Sequence, residues 1–534
     1  MATQATRATG IGPAGLADLA ERAFARAAGS PSTEGNAVRL LCDARENFPA
    51  WLDALAAARR YILFESYIVE NDRIGRDFAA LLAEKARAGV RVHVIVDWLG
   101  CWRALSLWRP VRDAGADVRV FNPPRISSPL GWLSRDHRKT IVVDGEVGFV
   151  SGLCVSERWL GNPKRRLEPW RDTGIEIRGP AIVALEQAFV RVFAASGAPL
   201  DVEGFAQPGS IPPAGSMRLH VIANEPNLAG TFRMDLVIAS IARRQLWLTD
   251  AYFVATSPYV QALRAAARDG VDVRLLVPGS SDIPALSPLS RAQYRPLLEA
   301  GVRVFEWAGT MLHAKTAVAD RRWSRVGSTN LNLASWMSNY ELDVAIEDAS
   351  FSEQMATQYE TDLGHATEIV LTRRNRVRRA PQGVQEAGVH SRTRRAASGS
   401  AGRAAAGAFS VGSALGAALT DRRILGPAEA GLLFLMAAVA AVIGVVGALW
   451  PRVLAWPVAF VALWSGTAWI VKGISLRRGR RSGPRVERLE DAIPDAGVPA
   501  AEPAHPPQSQ PLQKAPTEAE RAQSEAERDR IASR

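Results

Sequence analysis

Apolar and polar positions alternate between two patterns from about residue 36 to residue 372. Residues 48–59 carry helix-type spacing, and Tyr61-Ile62-Leu63-Phe64-Glu65-Ser66-Tyr67 then reads as a buried strand. A second helical stretch over residues 75–88 leads into Gly89-Val90-Arg91-Val92-His93-Val94-Ile95-Val96-Asp97, a second strand. Strand, helix and strand in that order predict a parallel pair joined by a crossover helix.

The pattern returns later in the chain. Leu246-Trp247-Leu248-Thr249-Asp250-Ala251-Tyr252 answers the first strand, and Gly270-Val271-Asp272-Val273-Arg274-Leu275-Leu276-Val277 answers the second. Gly301-Val302-Arg303-Val304-Phe305 likewise matches Gly115-Ala116-Asp117-Val118-Arg119-Val120-Phe121. A duplicated α/β unit of mixed sheets follows, with halves at 36–205 and 217–372 and a turn-rich joint at 206–216. Two such halves would pack about a pseudo-twofold axis.

Outside this region the composition changes. Residues 1–35, rich in Ala, Thr, Gly and Pro, read as a disordered tail without the apolar core of a signal peptide. Residues 373–427 read as a basic flexible linker, and 473–534 as a disordered charged tail. Between them, residues 431–450 and 453–471 are two apolar runs separated by Pro451 and Arg452, so 428–472 reads as a transmembrane hairpin. Arg422 and Arg423 before it, and Lys472, Arg477, Arg478, Arg480 and Arg481 after it, put both flanks in the cytoplasm by the positive-inside rule. A re-entrant or interfacial hairpin is the alternative, given the two-residue turn.

The net charge of +11 favours anionic partners. Much of it sits in the run from Arg373 to Arg403 rather than around the predicted strands, which argues against nucleic acid. Three cysteines, Cys42, Cys101 and Cys154, have no C-x-x-C spacing and suggest neither disulfides nor zinc.

The chemistry gathers at two matched stretches, His137-Arg138-Lys139-Thr140-Ile141-Val142-Val143-Asp144 and His313-Ala314-Lys315-Thr316-Ala317-Val318-Ala319-Asp320. In a strand, His and Lys two positions apart share a face, so a phosphate could sit between them. The flanks match as well: Ser151-Gly152-Leu153-Cys154 follows one and Gly327-Ser328-Thr329-Asn330 the other. Asp144 and Asp320 have the opposite strand parity and read as structural supports.

Two H-x-K-x-x-x-x-D stretches, one in each half, resemble the phospholipase D superfamily, and within it the bacterial cardiolipin synthases. That resemblance implies a phosphodiester enzyme needing no metal or cofactor. One neutral imidazole attacks phosphorus, with His137 favoured as nucleophile and His313 as acid. Lys139 and Lys315 hold the non-bridging oxygens, and Ser328 and Asn330 add hydrogen bonds. It also implies carboxylates that fix the imidazole tautomers, read as Glu341 for His313 and Asp172 for His137. Asp144 and Asp320 belong to the motif.

The first half departs from this pattern, having Gly152 and Cys154 where the second has Ser328 and Asn330. Cys154 reads as a small buried residue, with a reactive thiol as the alternative. Trp98, Trp102 and Trp108 are either a lipid-facing surface or one packed helix face, and Trp132, in a Pro/Gly loop, is the better membrane candidate.

The expected activity is phosphatidyl transfer to phosphatidylglycerol at the cell inner membrane, on its cytoplasmic side. Phosphatidylethanolamine is a second candidate substrate. Phospholipid hydrolysis to phosphatidic acid, a nuclease of the same superfamily and an inactive membrane scaffold are the alternatives. The hairpin is C-terminal here, whereas anchored members of the family carry theirs at the N-terminus.

Overall fold

The computed structural model describes residues 13–124, 133–283, 286–371, 377–379 and scattered positions between 438 and 470. Its centre is one mixed sheet of sixteen strands. In the first half these are β1 (Thr33–Cys42), β2 (Tyr61–Ser66), β3 (Arg91–Asp97), β4 (Asp117–Phe121), β5 (Lys139–Val143), β6 (Val147–Ser151) and β7 (Thr173–Arg178). The second half supplies β8 (Met217–Asn224), β9 (Gln245–Thr249), β10 (Asp272–Pro278), β11 (Arg303–Trp307), β12 (Thr316–Ala319), β13 (Trp323–Gly327) and β14 (Glu341–Glu347), then β15 (Ala366–Leu371) and β16 (Val377–Arg379) at the far edge.

Reading outward from the middle, the order β1-β7-β6-β5-β2-β3-β4 on one side is repeated as β8-β14-β13-β12-β9-β10-β11 on the other. The two halves therefore have one topology and meet where β1 pairs antiparallel with β8. The expected crossover is present in both: β2 lies parallel to β3 and β9 to β10. The helices Arg73–Arg87 and Ser257–Arg268 make those connections, burying Phe78 and Leu82 in one half and Tyr259 and Leu263 in the other.

The expected duplicated α/β mixed sheet is thus the observed one, but two segments differ from their sequence reading. Pro13–Ala28, assigned to a disordered tail, forms a helix. Its Ala-rich run has no Gly or Pro between Leu16 and Ala28, and Ala27 and Ala28 pack with Ile222 and Met234. Gly29, at φ 77°, ends it in a left-handed conformation. Val377–Arg379, assigned to the basic linker, adds an edge strand to β15.

Trp98–Trp108 is broken into a short helix and a 3₁₀ turn; Trp108 is buried in the core and Trp102 is half exposed. Trp132 and, apart from isolated positions, the hairpin of 428–472 lie outside the described residues, as does the charged tail. Among the described residues no helix is long and apolar enough to cross a membrane.

Candidate active site

Both histidines sit just ahead of an inner strand, His137 two residues before Lys139 opens β5 and His313 three residues before Thr316 opens β12. They line one cavity of about 370 Å³. Two cross-lobe bridges bring them there. Asp136 pairs with Tyr340 and the His137 N–H donates to the Tyr340 carbonyl at 2.9 Å. Symmetrically, Leu312 pairs with Arg171 and the His313 N–H donates to the Arg171 carbonyl at 2.7 Å.

These bridges place the residue after Tyr340 beside His137 and the residue after Arg171 beside His313. Nδ1 of His137 lies 2.8 Å from Glu341 Oε2, and Nδ1 of His313 lies 2.8 Å from Asp172 Oδ2. The sequence assignment, which paired each histidine with the carboxylate of its own half, is therefore reversed. The reason is that each motif strand end is clamped against the opposite lobe, so the nearest carboxylate along the chain is not the nearest in space.

Electrostatics fixes the protonation states. Burial above all, helped by the two lysines and opposed by the partner carboxylates, brings both imidazoles down to about 4. Burial also pushes up on Asp172 and Glu341, but the partner histidines and neighbouring lysines outweigh it and hold both carboxylates below their ordinary values. Each resting pair is a neutral imidazole donating Nδ1–H to a carboxylate, which leaves Nε2 with its lone pair.

The lysines stand behind the rings rather than on the cavity wall. Lys139 donates to the His137 carbonyl and Lys315 to the His313 carbonyl. Lys315 Nζ also lies 2.9 Å from His313 Nδ1, and burial lowers its ammonium to about 8.

The supporting residues fall into two groups. Ser328 Oγ donates to Glu341 at 2.6 Å and accepts from the Leu342 N–H, so it holds the carboxylate rather than facing the cavity as expected. Asn330 does line the cavity, and its buried Oδ1 has no partner. In the first half, a Cβ on Gly152 would come within 2.1 Å of Asp172 Oδ1, so no serine fits there, and Trp159 Nε1 donates to Asp172 at 2.8 Å instead. Cys154 is buried on the cavity wall with its thiol pushed up by burial.

Asp144 and Asp320 are remote from the cavity lining. Asp144 accepts the N–H groups of Arg59, Arg60 and Tyr61. Asp320 accepts those of Arg243, Arg244 and Gln245. Each caps the entry of a parallel strand from a left-handed turn, at φ 55° and 50°.

Several site residues escaped the sequence reading. Tyr67 packs edge-on to His137 at 4.7 Å between centroids, and Tyr252 to His313 at 5.7 Å. Trp159 and Trp170 flank His313 at 5.3 and 5.7 Å. The tyrosines occupy matched positions of the repeat, a signal that was available. The remaining wall is largely apolar, with Ile68, Val254, Ile283, Leu286 and Met337.

Two lobes of one topology that contribute one imidazole each to a single cavity define the phospholipase D class. The family described as "Cardiolipin synthase, PLD-like domain" matches residues 237–363. A cardiolipin synthase of Halalkalibacterium halodurans is 30% identical over 355 residues, covering 64% of this chain and 69% of that protein. Cardiolipin synthase A of Pseudomonas putida is 33% identical over 358 residues, covering 65% and 73%. A crystal structure of phosphatidylserine synthase from Haemophilus influenzae shares the fold, with a TM-score of 0.50 at 12% identity, covering 65% of this chain and 91% of that one. The chain belongs to the cardiolipin synthase family of the phospholipase D superfamily.

Proposed function

We propose that the protein is a cardiolipin synthase-type phosphatidyltransferase, which moves a phosphatidyl group through a phosphohistidine to phosphatidylglycerol. The observation that carries this is the pair of imidazoles, one from each lobe, on one largely apolar cavity, each held by a carboxylate of the opposite lobe. In that reading Nε2 of His137 attacks phosphorus, the phosphatidyl–oxygen bond to glycerol breaks, and His313 delivers the proton to the departing alkoxide.

The resting imidazoles are both neutral. An entering phosphodiester anion supplies the negative charge that raises His313 toward protonation. The incoming hydroxyl of a second phosphatidylglycerol then returns its proton to His313 as it attacks the phosphohistidine. Lys139 and Lys315 add positive charge behind the rings, and Asn330 offers its amide to the phosphate oxygens. The apolar wall suits acyl chains, and the two apolar runs of 428–472 would anchor the enzyme to the inner membrane beside its substrate.

The test is purified full-length protein in mixed micelles with labelled phosphatidylglycerol. Cardiolipin plus glycerol is the predicted product pair. Phosphatidic acid as the main product would favour hydrolysis, and no lipid turnover would remove the lipid reading. Membrane fractions washed with carbonate should retain the full chain, and its release would contradict the anchor.

A further inference from the structure

At the opposite end of the central strands from the histidines lies a second cluster, formed by His220 on β8, Glu347 at the end of β14, and Glu21 on the helix Pro13–Ala28. Glu347 lies six positions along β14 from Glu341, roughly 20 Å of strand. This group is therefore distinct from the lipid-transfer site.

His220 is fully buried, yet neither ring nitrogen has a hydrogen-bond partner. That is an expensive arrangement for an imidazole, because burial removes the water that would otherwise satisfy it. Its Nε2 points at two carboxylates, 3.3 Å from Glu347 Oε1 and 4.0 Å from Glu21 Oε1. One ligand atom from each of the three residues lies within 4.8 Å of the others.

A tetrahedral zinc with ligand bonds near 2.0–2.1 Å keeps its ligand atoms roughly 3.3 Å apart, so this triangle is close to closing on an ion. Glu347 Oε1 is likewise buried without a partner. Glu21 Oε1 also accepts from the Ser32 hydroxyl and Oε2 faces Arg218 at 3.3 Å, so its position is already fixed before any ion arrives. Arg218 itself is shared with Glu34.

We propose that His220, Glu347 and Glu21 bind a zinc-class divalent cation that pins the N-terminal helix to the two central strands. Glu21 and Glu347 are partly exposed, which leaves an entry path and room for water as a fourth ligand. The role is structural, since the ion would join a helix to strands β8 and β14 that belong to the second lobe's inner edge.

The experiment strips full-length protein with chelator, adds zinc chloride, and measures bound metal by mass spectrometry together with the melting temperature. One equivalent per chain and a rise in melting temperature are expected in the wild type, with both lost in His220→Ala. Because that substitution also empties a buried site, Glu347→Gln serves as the second variant. It keeps the shape and should lose at least tenfold in zinc affinity while retaining lipid transfer, which also certifies its fold. Absence of stoichiometric zinc in the wild type, or affinity unchanged in Glu347→Gln, overturns the proposal and leaves His220 as a histidine shared by two carboxylates.

Discussion

The two lobes share a topology and solve the same problem with different atoms. In both, a carboxylate crosses over to hold the other lobe's histidine. Glu341 is anchored by a serine hydroxyl, whereas Asp172 is anchored by an indole N–H. The shorter Asp172 side chain leaves its oxygens against the backbone, where only glycine fits at position 152. The apparent decay of the first motif, Gly152 and Cys154 in place of Ser328 and Asn330, is thus a compensated exchange on the carboxylate side. It is an actual difference only at Asn330, whose free amide oxygen has no counterpart in Cys154.

The comparison can be broken at several points. The largest effect belongs to His313→Ala, which removes the proposed acid and should lower turnover about 10³-fold in the micelle assay. Turnover within tenfold of wild type would dismiss the two-histidine scheme. Next is Arg138, fully buried where the second lobe has Ala314. It donates to the carbonyls of Glu341, Ala188 and Asn224, tying the lobes together. Arg138→Ala leaves those acceptors unsatisfied beside a void and should cost about 3 kcal/mol in chemical denaturation, while Ala314→Ser should cost far less.

Smaller effects test the two carboxylate anchors. Ser328→Ala and Trp159→Phe each remove one donor from a carboxylate and should each lower kcat about tenfold with little change in KM. A tenfold loss in one and none in the other would show that the lobes are unequal partners. The smallest effect is a pH shape. Lys315 carries charge below about 8 and loses it above, so activity should fall as pH rises through that value. Lys315→Arg, which cannot lose its proton in this range, should remove that alkaline limb from the kcat/KM profile. The imidazoles, neutral above about 4, should contribute no decline near neutral pH on the acid side.

Much of the fold was legible because the signal was doubled. The strand pairs β2 and β9, β3 and β10, and β4 and β11 are short apolar runs that recur at a nearly fixed offset. The histidines were legible for the same reason, since few are present and two open matched stretches. The meeting of the two motifs at one cleft was legible, but the particular contacts across the lobes were hidden from sequence. The bridges Asp136–Tyr340 and Arg171–Leu312 reverse the carboxylate assignment, and no local pattern marks them. The helix Pro13–Ala28 was missed because its burial comes from strands two hundred residues away. Asp144 and Asp320 were distinguishable from the reacting groups by strand parity alone, and their oxygens do go to backbone N–H groups.

The most direct measurement is chemical trapping of the intermediate. Enzyme is mixed with phosphatidylglycerol labelled in its phosphate, quenched in base, which spares phosphohistidine, and digested for peptide mapping. Label should appear on the peptide containing His137, form more slowly in His313→Ala, which lacks the acid for the leaving alkoxide, and be absent in His137→Ala. Label on the His313 peptide alone would exchange the two roles. Active wild-type enzyme that never carries label on either histidine would contradict the covalent mechanism.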